Sequence, residues 1–133
     1  PLAVVGRSST DCNGSACALY FYNNIIAAMG APHAPQSSFP ASMPGSVFDD
    51  DLYSGVFTSV PSEPHGLSGN PMFVNPASLG VGRITAAGLK LFAGSPALGN
   101  GYNSGYLGSL DFFGNAISST ATPNRGAYGD PGL

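Results

Sequence analysis

The sequence predicts an all-β fold of many short strands joined by turns and long loops. Its 133 residues include 19 glycines and 12 prolines, about twice the usual share of these turn-forming residues. Disordered chains combine low hydrophobicity with a high net charge, whereas here 43% of residues are hydrophobic and the net charge is only -3. We therefore expect one ordered, turn-rich domain that is long enough to bury a core.

The charge content disfavours two classes of partner. Only 8% of residues are charged, against about 25% in typical soluble domains. The basic residues are scattered, so sequence neighbours cannot form a basic patch for nucleic acid; they are Arg7, Arg83, Lys90 and Arg125. No apolar run approaches the roughly 18 residues of a membrane-spanning helix. Neither nucleic acid nor a membrane is expected as a partner.

The only two cysteines, Cys12 and Cys17, predict a local disulfide and hence an oxidising compartment. Closing so short a loop adds little stability, so the bond would mainly fix a turn. A metal site is disfavoured because no second pair of cysteines or histidines stands at ligand spacing. Asn13 begins a glycosylation sequon between the two cysteines. We expect a secreted, extracellular protein, and the absence of a Met before Pro1 suggests a processed or truncated start.

The strongest strand signal runs from Ala18 to Ile26, where aromatic and β-branched residues predominate. The run is nearly continuous rather than alternating, which predicts a strand covered on both faces. Asn23 and Asn24 interrupt it. Further short strands are predicted at Leu2–Val5, Val56–Val60, Met72–Val74, Arg83–Thr85, Gly88–Leu91 and Gly126–Tyr128.

Long loops separate these strands. Residues 27–46 contain four prolines and no periodicity, which excludes a long helix or a central strand there. Loops are also predicted at residues 61–70 and 100–108. Gly94, Ser95 and Pro96 predict a turn in which the Ser95 side chain caps the short segment that follows.

Four segments of the second half stand in a characteristic order: Asn70–Val74, Leu89–Pro96, Asp111–Asn115 and Gly126–Tyr128. In that order they resemble the C-terminal part of right-handed parallel β-helix repeat proteins of the pectin-lyase-like type. Residues 19–26 and 47–55 resemble two earlier rungs, with Asn23 and Asn24 at a corner. The resemblance therefore implies an all-β chain whose residues 1–133 form the last rungs of a right-handed parallel β-helix with long loops.

The resemblance also implies a class of function. The superfamily includes polysaccharide lyases, glycoside hydrolases and uronan epimerases, so the implied partner is a polysaccharide. The catalytic residues of such proteins usually lie on central rungs, which implies an upstream part of the protein, either cleaved or in another chain. Pro71, Phe73, Pro96 and Tyr128 match positions that close the end of the helix. A non-catalytic glycan-binding or adhesion module is the alternative.

The cluster Asp49-Asp50-Asp51 is the only acidic cluster in the sequence. Two hypotheses assign it chemistry, a calcium site or a general acid/base pair. Because alternate residues of a strand share a face, Asp49 and Asp51 could converge while Asp50 points away. A solvated turn with a local hydrogen bond is the alternative. His65 is a candidate proton shuttle, with a turn position as the competing interpretation.

Tyr102 and Tyr106 are the candidates for substrate contact, because both lie in a Gly-rich loop where exposure is expected and aromatic rings stack on sugars. Arg83 and Lys90 are the cations that a lyase mechanism would need, but nothing in the sequence ties them to one site. No cofactor is predicted apart from calcium at the acidic cluster.

Overall fold

The computed structural model describes residues 20–28, 46–57, 60–81, 83–105 and 107–133. The Cys12–Cys17 pair, the Asn13 sequon, Tyr106 and the predicted strand Leu2–Val5 lie outside these residues. Five short strands are present: β1 Tyr20–Tyr22, β2 Ile25–Ala27, β3 Val47–Asp49, β4 Leu52–Ser54 and β5 Leu67–Ser68. Helix is limited, in the described residues, to the 3-10 segments Pro76–Ser78 and Arg83–Leu89. Neither is long or apolar enough to cross a membrane. The described chain is thus strand and coil, in keeping with the predicted all-β class.

The strands form two short sheets, and every ladder in them is parallel. One sheet pairs β1 with β3, and the other has the order β2-β4-β5. Tyr20 pairs with Val47 and Ile25 pairs with Leu52, so both β1-β3 and β2-β4 join residues 27 positions apart. Since parallel strands need a crossover connection, the long proline-rich segment between β2 and β3 has the length such a connection requires.

Each pair of strands turns a corner at an equivalent position. Asn23 separates β1 from β2 with φ 60°, and Asp50 separates β3 from β4 with φ 57°. Asn and Asp adopt the left-handed region more readily than other side-chain-bearing residues. The predicted strand Ala18–Ile26 is therefore two strands with a polar corner between them, as the Asn-Asn interruption indicated.

The β2-β4-β5 sheet is packed on both faces. Ile25, Leu52 and Leu67 stack in register on one face and pack against a cluster that includes Leu91, Ala97 and Tyr128. On the other face, Ile26 and Tyr53 pack with three phenylalanines: Phe21, Phe48 and Phe57. This double covering accounts for the nearly continuous apolar run in the sequence.

Several predicted strands of the second half do not form. A 3-10 helix, Arg83–Leu89, replaces the predicted strands Arg83–Thr85 and most of Gly88–Leu91. Only Leu91 pairs, in an isolated antiparallel bridge to Phe73. Gly88 explains the difference. Its carbonyl accepts a hydrogen bond from the Asn75 amide at 3.0 Å, and this close approach of the two backbone segments holds residues 83–89 in the 3-10 conformation.

The end of the chain covers the core without forming a strand. Gly126 has φ 83°, which prevents the predicted strand Gly126–Tyr128, and a Cβ there would lie 2.8 Å from Ile25 Cδ1. Tyr128 is only 2% exposed and belongs to the Leu52 cluster. The predicted strand Val56–Val60 is likewise absent at its described residues 56, 57 and 60.

The predicted turn at Gly94-Ser95-Pro96 is confirmed. The buried Ser95 hydroxyl accepts the Ala97 amide at 3.2 Å and donates to the Pro71 carbonyl at 2.7 Å. The serine therefore caps its own turn and also ties that turn to the segment that begins at Pro71.

We expect Leu52→Ala to lower the free energy of unfolding by about 2–5 kcal/mol, because Leu52 is fully buried at the centre of the stacked face. Urea denaturation followed by circular dichroism measures the change. Val56→Ala is the matched control, since Val56 is 71% exposed and should change stability by less than about 0.5 kcal/mol. Equal effects of the two substitutions would contradict this description of the core.

Candidate functional site

The acidic cluster lies at the corner between β3 and β4. The left-handed conformation of Asp50 redirects the chain, so strand alternation does not apply across it. Asp49 and Asp50, rather than Asp49 and Asp51, come together beside His65. Asp51 is fully buried and contacts Asn24 instead.

Asp49 and His65 form an ion pair. His65 Nδ1 lies 2.9 Å from Asp49 Oδ2, and the His65 backbone amide donates to Asp49 Oδ1 at 2.8 Å. Partial burial works to raise the pKa of Asp49, but hydrogen bonds from His65 and from the Asp50 amide outweigh it, so this pKa is lowered. The hydrogen bond to Asp49 and the charge of that carboxylate raise the pKa of His65. The imidazole is largely exposed, at 67% of its side-chain surface.

Asp51 and Glu63 form a second, buried arrangement. Asp51 Oδ1 accepts hydrogen bonds from the Asn24 amide at 2.6 Å and from Asn24 Nδ2 at 2.8 Å. Glu63 accepts from the Asp51 amide at 3.1 Å and from the Tyr53 hydroxyl. In the described residues the buried Asp51 Oδ2 has no hydrogen-bond donor.

Burial raises the pKa of Asp51 to about 7. The hydrogen bonds from Asn24 act to lower this pKa, and the neighbouring Glu63 acts to raise it. Burial and the neighbouring negative charge of Glu63 both favour the neutral form of Asp51. The raised pKa therefore favours a neutral carboxylic acid at this corner up to about neutral pH, shielded from solvent.

Arg125 ties the C-terminal loops to this corner. It is only 3% exposed and donates to the Asp51 carbonyl at 2.7 Å. Its Nε and Nη2 donate to the side chain and carbonyl of Asn100, and Nη2 lies 3.7 Å from Asp50 Oδ1. Arg125 is thus a structural cation whose donors point inward.

A divalent cation is the other ligand that the acidic cluster suggests. Asp49, Asp50 and His65 each offer a ligand atom, and these atoms lie within 4.8 Å of one another. Calcium, however, takes six to eight oxygen ligands, whereas this group has two carboxylates and a nitrogen. Asp49 already binds His65, and Arg125 lies against Asp50. These residues do not fit a calcium ion.

Three tyrosines form a row beside the cluster, which we call the tyrosine ridge: exposed Tyr20 and Tyr102, and half-buried Tyr22. Tyr20 and Tyr22 share one face of β1, and Tyr22 pairs in register with Asp49. The Tyr102 ring lies against Tyr22 with centroids 5.1 Å apart and planes inclined by 35°. Tyr20 is 67% exposed and Tyr102 is 47% exposed, so the ridge faces solvent.

Asn23 holds Tyr102 in place. Its Oδ1 accepts the Tyr102 amide at 2.6 Å, and its Nδ2 donates to the Tyr102 carbonyl at 2.8 Å. A Cβ at Gly101 would lie 2.6 Å from Asn23 Oδ1, so only glycine permits this approach. The exposure predicted for Tyr102 is confirmed, and its loop is fixed by the corner of the first strand pair.

Glu63 and Arg125 are parts of this site that sequence reasoning missed, whereas Asn24 lies at a corner as the sequence predicted. A shift of the sequence by 27 positions aligns Asn23 with Asp50 and Asn24 with Asp51, and that shift was the available signal for the pairing of Asn24 with Asp51. Glu63 and Arg125 come from loops, where no periodicity indicates position. Of the predicted lyase cations, Lys90 lies over the rings of Phe113 and Tyr128, at 5.4 and 5.9 Å from their centroids.

A groove of about 440 Å³ lies between Asn23, Phe112 and Tyr128. Its carboxylate, Asp111, accepts hydrogen bonds from Phe113, Asn115 and Gly129. Those bonds outweigh partial burial and lower the pKa of Asp111. This carboxylate is therefore committed to holding the C-terminal loops.

No protein-family model matches this chain, and no curated protein is significantly similar to it.

We expect the thermal midpoint to be highest at about pH 4 and to fall as the pH rises above it. The raised pKa of Asp51, about 7 against 3.8, gives stability that is complete below pH 3.8 and is lost as the pH rises to about 7. His65 has a raised pKa and acts in the same direction. The lowered pKa values of Asp49 and Asp111 give stability that is lost as the pH falls below about 3.8.

Differential scanning fluorimetry from pH 3 to pH 9 measures this profile. Between pH 5 and pH 8 the midpoint should fall by on the order of 5 °C. A midpoint that rises steadily over this interval would contradict the assignment of a protonated Asp51.

Asp51→Asn should remove most of this fall. The amide oxygen can still accept from Asn24, and the neutral amide cannot acquire a charge beside Glu63 at any pH. At pH 8 the variant should be more stable than the wild type by on the order of 1 kcal/mol. Asp49→Asn is the control, because it breaks the His65 pair and leaves the buried acid in place. A wild-type slope in Asp51→Asn would refute the raised pKa of Asp51.

Proposed function

We propose that this chain forms the C-terminal coils of a right-handed parallel β-helix in a secreted protein that acts on a polysaccharide. Within that protein, the contribution of the described residues is to hold the glycan along the tyrosine ridge. Bond cleavage, of glycosidase or lyase type, belongs to an upstream part of the protein.

Three features support the β-helical arrangement. The ladders β1-β3 and β2-β4 repeat at one spacing of 27 residues, as successive coils of a solenoid would. Ile25, Leu52 and Leu67 then stack as an aliphatic column, and the polar corners at Asn23 and Asp50 superpose. Connections between neighbouring parallel strands are almost always right-handed, which supports the handedness.

The fold alone does not define an activity, so the tyrosine ridge is the observation on which the polysaccharide proposal rests. Sugar rings present apolar C–H faces that pack on aromatic rings, and tyrosine combines a large apolar face with a polar hydroxyl. Tyr22 and Tyr102 offer such faces on the outside of the first strand pair.

A non-catalytic glycan-binding module is the second candidate, and the state of the carboxylates favours it. Asp49 is bound by His65, Asp50 lies against Arg125 and Asp51 is buried. A glycosidase needs two carboxyl groups that flank the scissile bond, whereas these groups are committed to internal partners.

Incubation of the purified chain with a panel of insoluble neutral and acidic polysaccharides tests the proposal. We expect the chain to sediment with at least one of them and to remain soluble with polyacrylamide beads, which contain no carbohydrate, as the negative control. New reducing ends would indicate hydrolysis, and new ultraviolet absorbance from an unsaturated uronate would indicate lyase action.

Sedimentation without either product would favour the binding module or an upstream catalytic part. Neither sedimentation nor products with any polysaccharide would refute a role in polysaccharide recognition.

A further inference from the structure

The composition of the tyrosine ridge and its surroundings bears on which polysaccharides this surface can take. A sugar-binding surface discriminates by charge as well as by shape, because a uronic acid residue brings a carboxylate that must be paired or left in water. The groups that face the ridge therefore decide between a neutral and an acidic glycan.

Two carboxylates lie next to the ridge, and each already has a cationic partner. Asp49 is the register partner of Tyr22, and Asp50 follows it at the corner. Burial raises the pKa of Tyr22, and the neighbouring Tyr102 phenol and Asp49 carboxylate raise it further. A uronate placed on this ring would meet carboxylates that already have their counter-ions and would find no partner for its own charge there.

The positive charges near the ridge are already used. The Arg125 donors point to Asp51, Asn100 and Asp50, and its side chain is buried. Lys90 lies over Phe113 and Tyr128. His65 is bound to Asp49. Among the side chains that the structure describes, no other Lys, Arg or His is present to neutralise an acidic sugar on the ridge.

The ridge is also preformed, which reduces the entropy lost on binding. The two hydrogen bonds from Asn23 fix the Tyr102 backbone, and β1 fixes Tyr22. Aromatic side chains have few rotatable bonds, so little further ordering is needed when a sugar packs on them.

We propose that the tyrosine ridge binds uncharged hexose or pentose units of a neutral polysaccharide and rejects uronic acid polymers. This assignment rests on the proposed function and specifies its substrate class. Tyr22 and Tyr102 form the stacking surface, and Asn23 is a positioning residue that acts through Tyr102.

Native electrophoresis in gels that contain one dissolved polysaccharide tests the assignment. The neutral probes are mixed-linkage β-glucan, glucomannan and arabinoxylan, and the acidic probes are polygalacturonate and alginate. We expect retardation by at least one neutral probe and by neither acidic probe. The retardation should not change with salt, because stacking and hydrogen bonding to uncharged sugars involve no ion pairing.

Substitutions locate the surface. Tyr102→Ala and Tyr22→Ala should each weaken the dissociation constant by on the order of tenfold, corresponding to about 1.4 kcal/mol, while Tyr102→Phe should bind like the wild type. Asn23→Gly keeps the left-handed corner accessible and should weaken binding as Tyr102→Ala does. Phe92→Ala is the matched control, because Phe92 is an exposed aromatic residue beside Pro71 and Met72. Circular dichroism of each variant verifies folding.

The outcomes separate the two proposals. Retardation by an acidic probe alone would overturn the neutral assignment and leave a polysaccharide function in place. Neutral binding that survives Tyr22→Ala and Tyr102→Ala would overturn the ridge as the site. Retardation by none of the five probes, together with failure to sediment with any insoluble polysaccharide, would overturn both proposals. The chain contains no tryptophan, so quenching of tyrosine fluorescence by the bound glycan gives a second readout.

Discussion

The hydrogen bonds from Asn24 to the buried carboxyl of Asp51 are the constraint on which the rest of the structure depends. They join equivalent positions of two successive strand pairs and so fix the register of both sheets at once. A slip of one residue in a parallel ladder exchanges the two faces of a strand. Here such a slip would move Leu52 to the face that Tyr53 now occupies and Tyr53 to the face of Leu52. Both apolar clusters would then be disrupted. A polar bond at the corner thus specifies an arrangement that apolar packing then stabilises.

The same corner also separates a solvent-facing surface from a buried one. Before it, Tyr22 and Asp49 share the outer face of the β1-β3 sheet. After it, Asp51 turns inward to Asn24 and Glu63. Neighbouring aspartates therefore have opposite electrostatic environments, with the pKa of Asp49 lowered and that of Asp51 raised. Three identical side chains acquire three roles because the backbone at Asp50 is left-handed.

Local features of the sequence predicted the strands better than they predicted the site. Aromatic and β-branched residues with an Asn-Asn interruption indicated β1, β2 and the corner, because these preferences act within a few residues. The segment Arg83–Leu89 became a 3-10 helix because contacts of Gly88 with a distant loop override its strand preference. The exposure of Tyr102 followed from its Gly-rich loop, but its position on Tyr22 depends on Asn23, 79 residues earlier. Glu63 and Arg125 reach the corner from loops, where pairing is set by the whole fold.

Arg125 also imposes an order on the maturation of the fold. The Asp51 carbonyl accepts a hydrogen bond from the guanidinium of Arg125, 74 positions later in the chain. The buried Asp50 forms an ion pair with the same guanidinium. A ribosome synthesises the chain from its N-terminus, so both strand pairs emerge before this cation. Until then the corner lacks its buried counter-charge, and the column of Ile25, Leu52 and Leu67 lacks its cover of Tyr128. The strand pairs therefore acquire their full stability only when the last loops close over them.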